Sequence, residues 1–348
     1  MVGAEERKVS RMPLTAQRTS PPVALVFPGQ GAQYPRMAAG LYGHDETFSF
    51  WMDEAFRLLG PDGPRLRREW LAAHPSAAYD DVTVAQPLLF AVNHALGRTV
   101  LGWGVAPVAL LGHSVGEFAA ATLAGILDFA DAVGLMRDRV EHFVHTPPGG
   151  MLAVAASVAE VADLLAPERE SGGVHLAAVN AARQLLLAGE REPLDAAARE
   201  LAARGLICRD VLAKQAFHSP AVDAAVLASL PAFRAVTLRR PSIPLWSAYT
   251  RGLLTDEEAL DPEFWAWQAA RTVHFAPTLG ALLDRHDCLL VEAGPGDSLS
   301  RLARRQPRVL GKHSTVHPLV PGDRDDREAV TELRERLLAL VEAGGRHV

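Results

Sequence analysis

Short, wholly apolar runs alternate along this chain with longer stretches in which apolar residues recur every three or four positions. The runs at 23–27 and 108–111 read as strands buried on both faces, and 86–97 and 129–143 carry helical periodicity. That alternation, from residue 23 to about 147, predicts an α/β domain on a mostly parallel sheet. Thr146-Pro147-Pro148-Gly149-Gly150 then breaks the pattern. Beyond it, strand candidates at 151–155, 174–180, 184–188 and 208–212 are separated by helical stretches at 158–165 and 193–204. The order β-α-β-β-α-β is that of a ferredoxin-like unit. It predicts a small α+β subdomain over 149–214, inserted into a larger domain made of 21–148 and 215–320. In the second part of that domain, 243–247 and 288–292 read as strands and 264–270 as a helix. Within 321–348 a C-terminal helix is expected over about 326–343, and the polar residues 1–20 read as a disordered leader.

The apolar run at 108–111 leads into Gly112-His113-Ser114-Val115-Gly116, and a helix-forming stretch follows from Glu117 to Ala124. Strand, sharp turn, serine and helix make the pattern of a nucleophile elbow, which gives the larger domain an α/β-hydrolase-like character. The helix that starts at the serine would aim its positive end at an oxyanion formed there. Gly-x-Ser-x-Gly is common by chance, so the rest of the chain must support it. A serine is a weak nucleophile at neutral pH and needs a base within hydrogen-bond reach. Thirteen histidines are available, and their number alone does not select one. His113 adjoins the serine on a turn, so its side chain is expected to project elsewhere. His218, in Ala216-Phe217-His218-Ser219-Pro220, sits where the chain re-enters the larger domain, a suitable place for a base.

Composition changes this picture mainly by exclusion. The chain has 348 residues, 49% hydrophobic and 22% charged, with a formal net charge of −6. An acidic balance argues against nucleic acid as a partner. The cluster Arg301, Arg304, Arg305, Arg308 and Lys312 reads equally as a solvated helix end or as a patch for an acidic partner. Cys208 and Cys288 have no metal-ligand spacing and suit a reducing compartment. No run is long and apolar enough for a membrane span, and no secretory signal is seen, so a cytoplasmic protein without membrane attachment is expected.

Two further features carry chemistry. Phe27-Pro28-Gly29-Gln30-Gly31-Ala32-Gln33 follows the first strand but lacks both the dinucleotide spacing and the phosphate-loop lysine. Its use would be to give one backbone N–H to an oxyanion, with Val115 giving the other. On the helix 129–143 the apolar stripe is Phe129, Ala132, Met136, Val140 and Phe143, and at about 100° per residue Arg139 falls on the same side. An arginine there is costly unless paired. It is either one half of a structural ion pair or a bidentate clamp for a substrate carboxylate.

These motifs, in this order, resemble those of malonyl-CoA:acyl carrier protein transacylases and of the acyltransferase domains of polyketide synthases. The resemblance runs from about residue 23 to 305. It rests on 27–33, Gln86-Pro87, Gly-His-Ser-Val-Gly-Glu at 112–117, Arg139, Asn180, Ala-Phe-His-Ser-Pro at 216–220 and Glu-Ala-Gly-Pro-Gly at 292–296. It implies that Ser114 is the nucleophile and His218 the base, with the N–H groups of Gln30 and Val115 as the oxyanion hole. It further implies that the backbone carbonyl of Gln268 steadies the histidine and that Arg139 binds the acyl carboxylate. Gln86, Asn180 and Phe217 would line the substrate site.

The implied reaction is ping-pong transfer of malonyl from malonyl-CoA to the phosphopantetheine thiol of an acyl carrier protein, for polyketide or fatty-acid synthesis. No metal or organic cofactor is expected, and the protein is expected to be a monomer. Phe217 and Val115 resemble the malonyl-selecting pattern, since a smaller residue at 217 would leave room for a methyl group. Gln215 departs from that pattern and keeps methylmalonyl, or a larger acyl group passed between carrier proteins, as alternatives. A thioester hydrolase is a third, but it needs no carboxylate clamp. The length and the polar leader lead us to expect a free-standing enzyme acting in trans.

Overall fold

A computed structural model describes residues 22–167 and 170–345; the leader expected over 1–20 lies outside the described residues. Among the described residues, ten strands form two sheets. They are β1 (Val23–Phe27), β2 (Ala109–Gly112), β3 (Gly149–Val154), β4 (Val174–Ala181), β5 (Gln184–Glu190), β6 (Cys208–Val211), β7 (Leu245–Ser247), β8 (Gly252–Leu253), β9 (Leu289–Pro295) and β10 (Thr315–Val320).

The larger sheet has the order β10-β9-β1-β2-β7-β8, and all its pairings are parallel except the short β7/β8 edge. Every residue of β1, β2 and β9 is buried, as expected for parallel strands covered by helices on both faces. The chain is thus of the α/β class expected from the alternating pattern.

The smaller sheet is antiparallel, in the order β4-β5-β3-β6. Counted within the unit this is 2-3-1-4, the strand order of a split βαβ arrangement. Its longer helix, Arg191–Ala203, packs Leu194, Ala197 and Leu201 against the sheet. The stretch expected as a helix over 158–165 forms one α-turn, Val158–Val161, followed by a 3-10 turn, Ala162–Leu164. Ser157 and Glu160 cap that turn reciprocally, and Pro167 follows it in the sequence.

Helix Val82–Gly102 is longer at both ends than the periodic stretch 86–97, because it is buried almost all round. A buried helix shows no polar face by which periodicity marks its ends. The helix expected at the C-terminus spans Asp326–Gly345. No helix among the described residues is long and apolar enough to cross a membrane.

Candidate active site

The turn after β2 is built by close approaches. A Cβ at Gly112 would lie 2.0 Å from Glu117 N, and one at Gly116 would lie 2.1 Å from Phe27 O. No side chain fits at either position. Between them Ser114 takes φ 54°, ψ −123°, a sparsely populated conformation that the surrounding contacts must hold. Helix Val115–Leu123 starts at the next residue, so its N-terminus faces the serine.

Ser114 Oγ lies 2.9 Å from His218 Nε2. On the other side of the ring, His218 Nδ1 lies 2.9 Å from the carbonyl oxygen of Arg271. A carbonyl only accepts, so Nδ1 carries the proton, and Nε2 presents its lone pair to the serine hydroxyl. His218 is buried. Burial first, then the nearby His113, pushes its pKa down to about 3, so the ring is neutral at neutral pH and its Nε2 lone pair is unprotonated.

The expectation that Gln268 supplies the orienting carbonyl is corrected here. Residues Gln268–Ala270 form a 3-10 turn in which the Gln268 carbonyl accepts the Arg271 N–H at 3.4 Å. The turn moves the hydrogen-bonding carbonyl on to Arg271, and the Gln268 carbonyl adds only a lesser favourable interaction with the ring. The same segment holds the His218 backbone, whose N–H donates to Ala269 O at 2.7 Å. The Gln268 side chain points the other way and donates to Glu117 Oε1 at 3.1 Å.

A small cavity of about 30 Å³ is lined by Gln30, Gln86, His113, Ser114, Phe217 and His218, among others. The Gln30 side chain is tied down: its Nε2 donates to Asp80 O at 3.4 Å, and its Oε1 accepts from Gln86 Nε2 at 3.3 Å. Gly29 lies close to the serine on this flank, since a Cβ there would lie 3.2 Å from Ser114 Cβ. Among the described residues neither the Gln30 nor the Val115 N–H has a hydrogen-bond partner.

Arg139 is buried. Its guanidinium carbon stands 5.4 Å from the Phe118 ring centroid and 5.5 Å from that of Phe143. No carboxylate pairs with it among the described residues, and its Nε has no hydrogen-bond partner. Burial pushes its pKa down to about 10, so it remains a cation at neutral pH. Phe217 packs edge-on against Phe143 at 5.0 Å. Asn180 is brought to the site, but its Oδ1 is used by His113 Nε2 at 2.8 Å. The His113 ring is thereby turned from the serine toward β4.

Sequence reasoning missed two members of the cluster. Glu117, wholly buried, accepts from Ala248 N at 2.9 Å and from Gln268 Nε2 at 3.1 Å, and so ties the nucleophile helix to the segment holding His218. Its place inside the serine motif was the available signal. Tyr249 stacks obliquely near His218, with ring centroids 6.2 Å apart; nothing local in the sequence marks it. The basic cluster of the C-terminal part is in part engaged: Arg301 with Asp297, Arg305 with Gln184 and Arg308 with Asp287.

Comparison with known proteins places these features. The family model described as the acyl transferase domain matches residues 24–339. A phenolphthiocerol/phthiocerol polyketide synthase polypeptide of Mycobacterium tuberculosis is 35% identical over 318 residues, which is 90% of this chain and 21% of that protein. The chain therefore spans about a fifth of the length of that relative. The acyl transferase domain of SpnD, solved in complex with 2-(pent-4-yn-1-yl)malonyl, superposes with a TM-score of 0.84 at 32% identity, covering 96% of this chain and 80% of that one. FabD of Acinetobacter baumannii superposes at 0.80 with 25% identity, over 92% of this chain and 99% of that one.

Proposed function

Because this chain belongs to the acyl transferase domain family, we propose that it moves a malonyl group from malonyl-CoA, through an ester on Ser114, to the phosphopantetheine thiol of an acyl carrier protein. The observation that carries the acyl group is Arg139. A buried guanidinium without a protein carboxylate is costly to maintain, and a free carboxylate on the acyl chain supplies the missing partner through a bidentate contact.

The steps follow from the geometry. His218 Nε2 takes the proton of Ser114 as Oγ attacks the thioester carbonyl carbon. The carbonyl oxygen becomes an oxyanion that the N–H groups of Gln30 and Val115 receive, at the positive end of helix Val115–Leu123. As the carbon–sulfur bond breaks, the CoA thiolate takes the proton back from His218, leaving O-malonyl-Ser114. The carrier thiol then gives its proton to His218 and attacks the ester, and Ser114 leaves with that proton. The Arg271 carbonyl keeps the ring in one tautomer throughout.

Phe217 supports malonyl over methylmalonyl. Its ring is wedged against Phe143, so it does not swing aside for a methyl branch. One methyl group discriminates by about 1–3 kcal/mol, or roughly 10- to 200-fold. Competition between malonyl-CoA and methylmalonyl-CoA for one protein sample tests this reading. A malonyl excess in that range is expected, and equal loading contradicts it.

A further inference from the structure

Helix Val82–Gly102 sends two amide side chains to the loop that follows β1. Gln86 and Asn93 lie two helical turns apart, so they share one face of the helix. Both are buried. Gln86 Nε2 donates to Gln30 Oε1 at 3.3 Å, and Asn93 Nδ2 donates to the carbonyl oxygen of Pro28 at 2.8 Å. The two donors thus bracket Gly29 and the peptide that carries the Gln30 N–H. In both amides the oxygen has no hydrogen-bond partner among the described residues. A buried amide with one end unmatched is costly to keep, and Asn93 is wholly inaccessible. No step of the mechanism above uses it.

The loop needs such a hold. A Cβ at residue 29 would lie 2.6 Å from His113 O, so the close approach to the serine turn admits only glycine, whose backbone is the least restrained of all. The direction of the Gln30 N–H then depends on what fixes the peptides on either side. Downstream, Gly29 O accepts from Ala32 N at 3.3 Å. Upstream, proline has no N–H to give, and its carbonyl is the group that can be tied. Asn93 ties it. Pro28 is also wedged in place. A Cβ at Gly116 would lie 2.7 Å from Pro28 O, and one at Gly294 would lie 2.2 Å from Pro28 Cδ and 2.5 Å from Asn93 Oδ1. The nucleophile helix and the end of β9 thus enclose Pro28 by contact, and Asn93 adds a directional bond.

We propose that Asn93 is a positioning residue for the oxyanion hole: by fixing the Pro28 carbonyl it sets the direction of the Gln30 N–H at Ser114. The assignment rests on the oxyanion reading given above. An oxyanion donor acts only when it is aimed at the place where charge develops. An amide left half unpaired in the core is thereby explained by rate and not by stability.

Two variants of the full chain test this. Asn93→Leu keeps the branched shape without the donor, and Asn93→Ala removes donor and bulk together. Single-turnover acylation by malonyl-CoA should slow roughly 10- to 100-fold in both, as for a small misplacement of a catalytic group. The half-saturating malonyl-CoA concentration should change by less than about threefold, because ground-state binding does not draw on the oxyanion hole. A pair of CoA derivatives gives the sharper readout. Ser114 adds to a trifluoromethyl ketone to give a tetrahedral oxyanion while His218 takes the proton; it cannot attack the thioether of the same length. Both variants should lose affinity for the ketone by a factor like that of the rate and keep their affinity for the thioether. Wild-type rates in both variants, or equal weakening of ketone and thioether, overturn the proposal and leave Asn93 a packing residue. Denaturant unfolding is followed in parallel: a variant that folds carries the comparison alone, and failure of both to fold overturns the proposal equally. Wild-type protein that acylates Ser114 but binds the ketone no tighter than the thioether would instead overturn the oxyanion reading itself.

Discussion

His218 is held by a main-chain carbonyl: its Nδ1 lies 2.9 Å from Arg271 O, where many serine enzymes place a carboxylate. A carbonyl fixes the tautomer without adding a negative charge, so its hydrogen bond only partly offsets the effect of burial on the ring. The result is a base whose pKa lies at about 3.

That value sets the pH behaviour of acyl loading. Protonating His218 removes the base, and the ring stays unprotonated down to about 3. The rate of acylation by malonyl-CoA should therefore be flat between about pH 5 and 7. Quench-flow rates across that range check this. A fall with an apparent pKa near the ordinary histidine value would show a ring less buried than the one described here. His218→Ala should slow acylation by roughly 10²–10⁴-fold, the usual contribution of general-base catalysis.

Arg139→Ala should separate acyl groups that carry a carboxylate from those that do not. Leaving one partner of a buried charge pair without the other costs about 2–5 kcal/mol, so malonyl loading should drop by roughly 30-fold or more. Acetyl loading should change far less. Parallel acylation rates with the two thioesters give the comparison, and an equal loss would reduce Arg139 to a packing residue.

Gly116→Ala should damage the fold and not only the chemistry. The added Cβ would meet Phe27 O at 2.1 Å and Pro28 O at 2.7 Å, both backbone atoms of the neighbouring strand end. A shift of the nucleophile helix away from β1 is the only relief. Overpacking of this kind costs about 1–3 kcal/mol or more, which denaturant unfolding measures directly.

Glu117 gives a prediction whose sign runs against habit. An unfolded glutamate titrates near 4.5, and burial pushes Glu117 up to about 8. Between those values the unfolded chain loses the proton and the folded chain keeps it, so this group's contribution to stability falls as pH rises through the interval and levels off above it. The buried histidines His94, His113 and His218 are shifted down, and their contribution rises with pH in the same region. The difference in unfolding free energy between wild type and Glu117→Gln isolates the carboxyl: it should decline from about pH 4.5 to about pH 8. A flat difference would mean that Glu117 is ionised in the fold.

The parts of this site that were legible in the sequence announce themselves through side chains or turn chemistry. Ser114 lies between two glycines that no other residue can replace, His218 sits in a proline-marked loop, and Arg139 interrupts an apolar stripe. What was not legible belongs to the main chain or to long-range register. The carbonyl that orients His218 has no side-chain signature, so a shift of one 3-10 turn, from Gln268 to Arg271, left no trace. Tyr249 comes beside His218 only because the fold brings the turn after β7 to that ring. Helix Val82–Gly102 hid its ends by being buried on nearly every side.

The central claim is that Ser114, activated by His218, carries a malonyl ester on the way from CoA to a carrier thiol. Intact-mass measurement of the full chain after brief exposure to malonyl-CoA, with peptide mapping of the product, tests it most directly. The account predicts a single added malonyl group on Ser114 that is lost when a phosphopantetheinylated carrier protein is added and that Ser114→Ala never acquires. No added mass, a malonyl group on another residue, or release as free malonate instead of transfer to the carrier would contradict it.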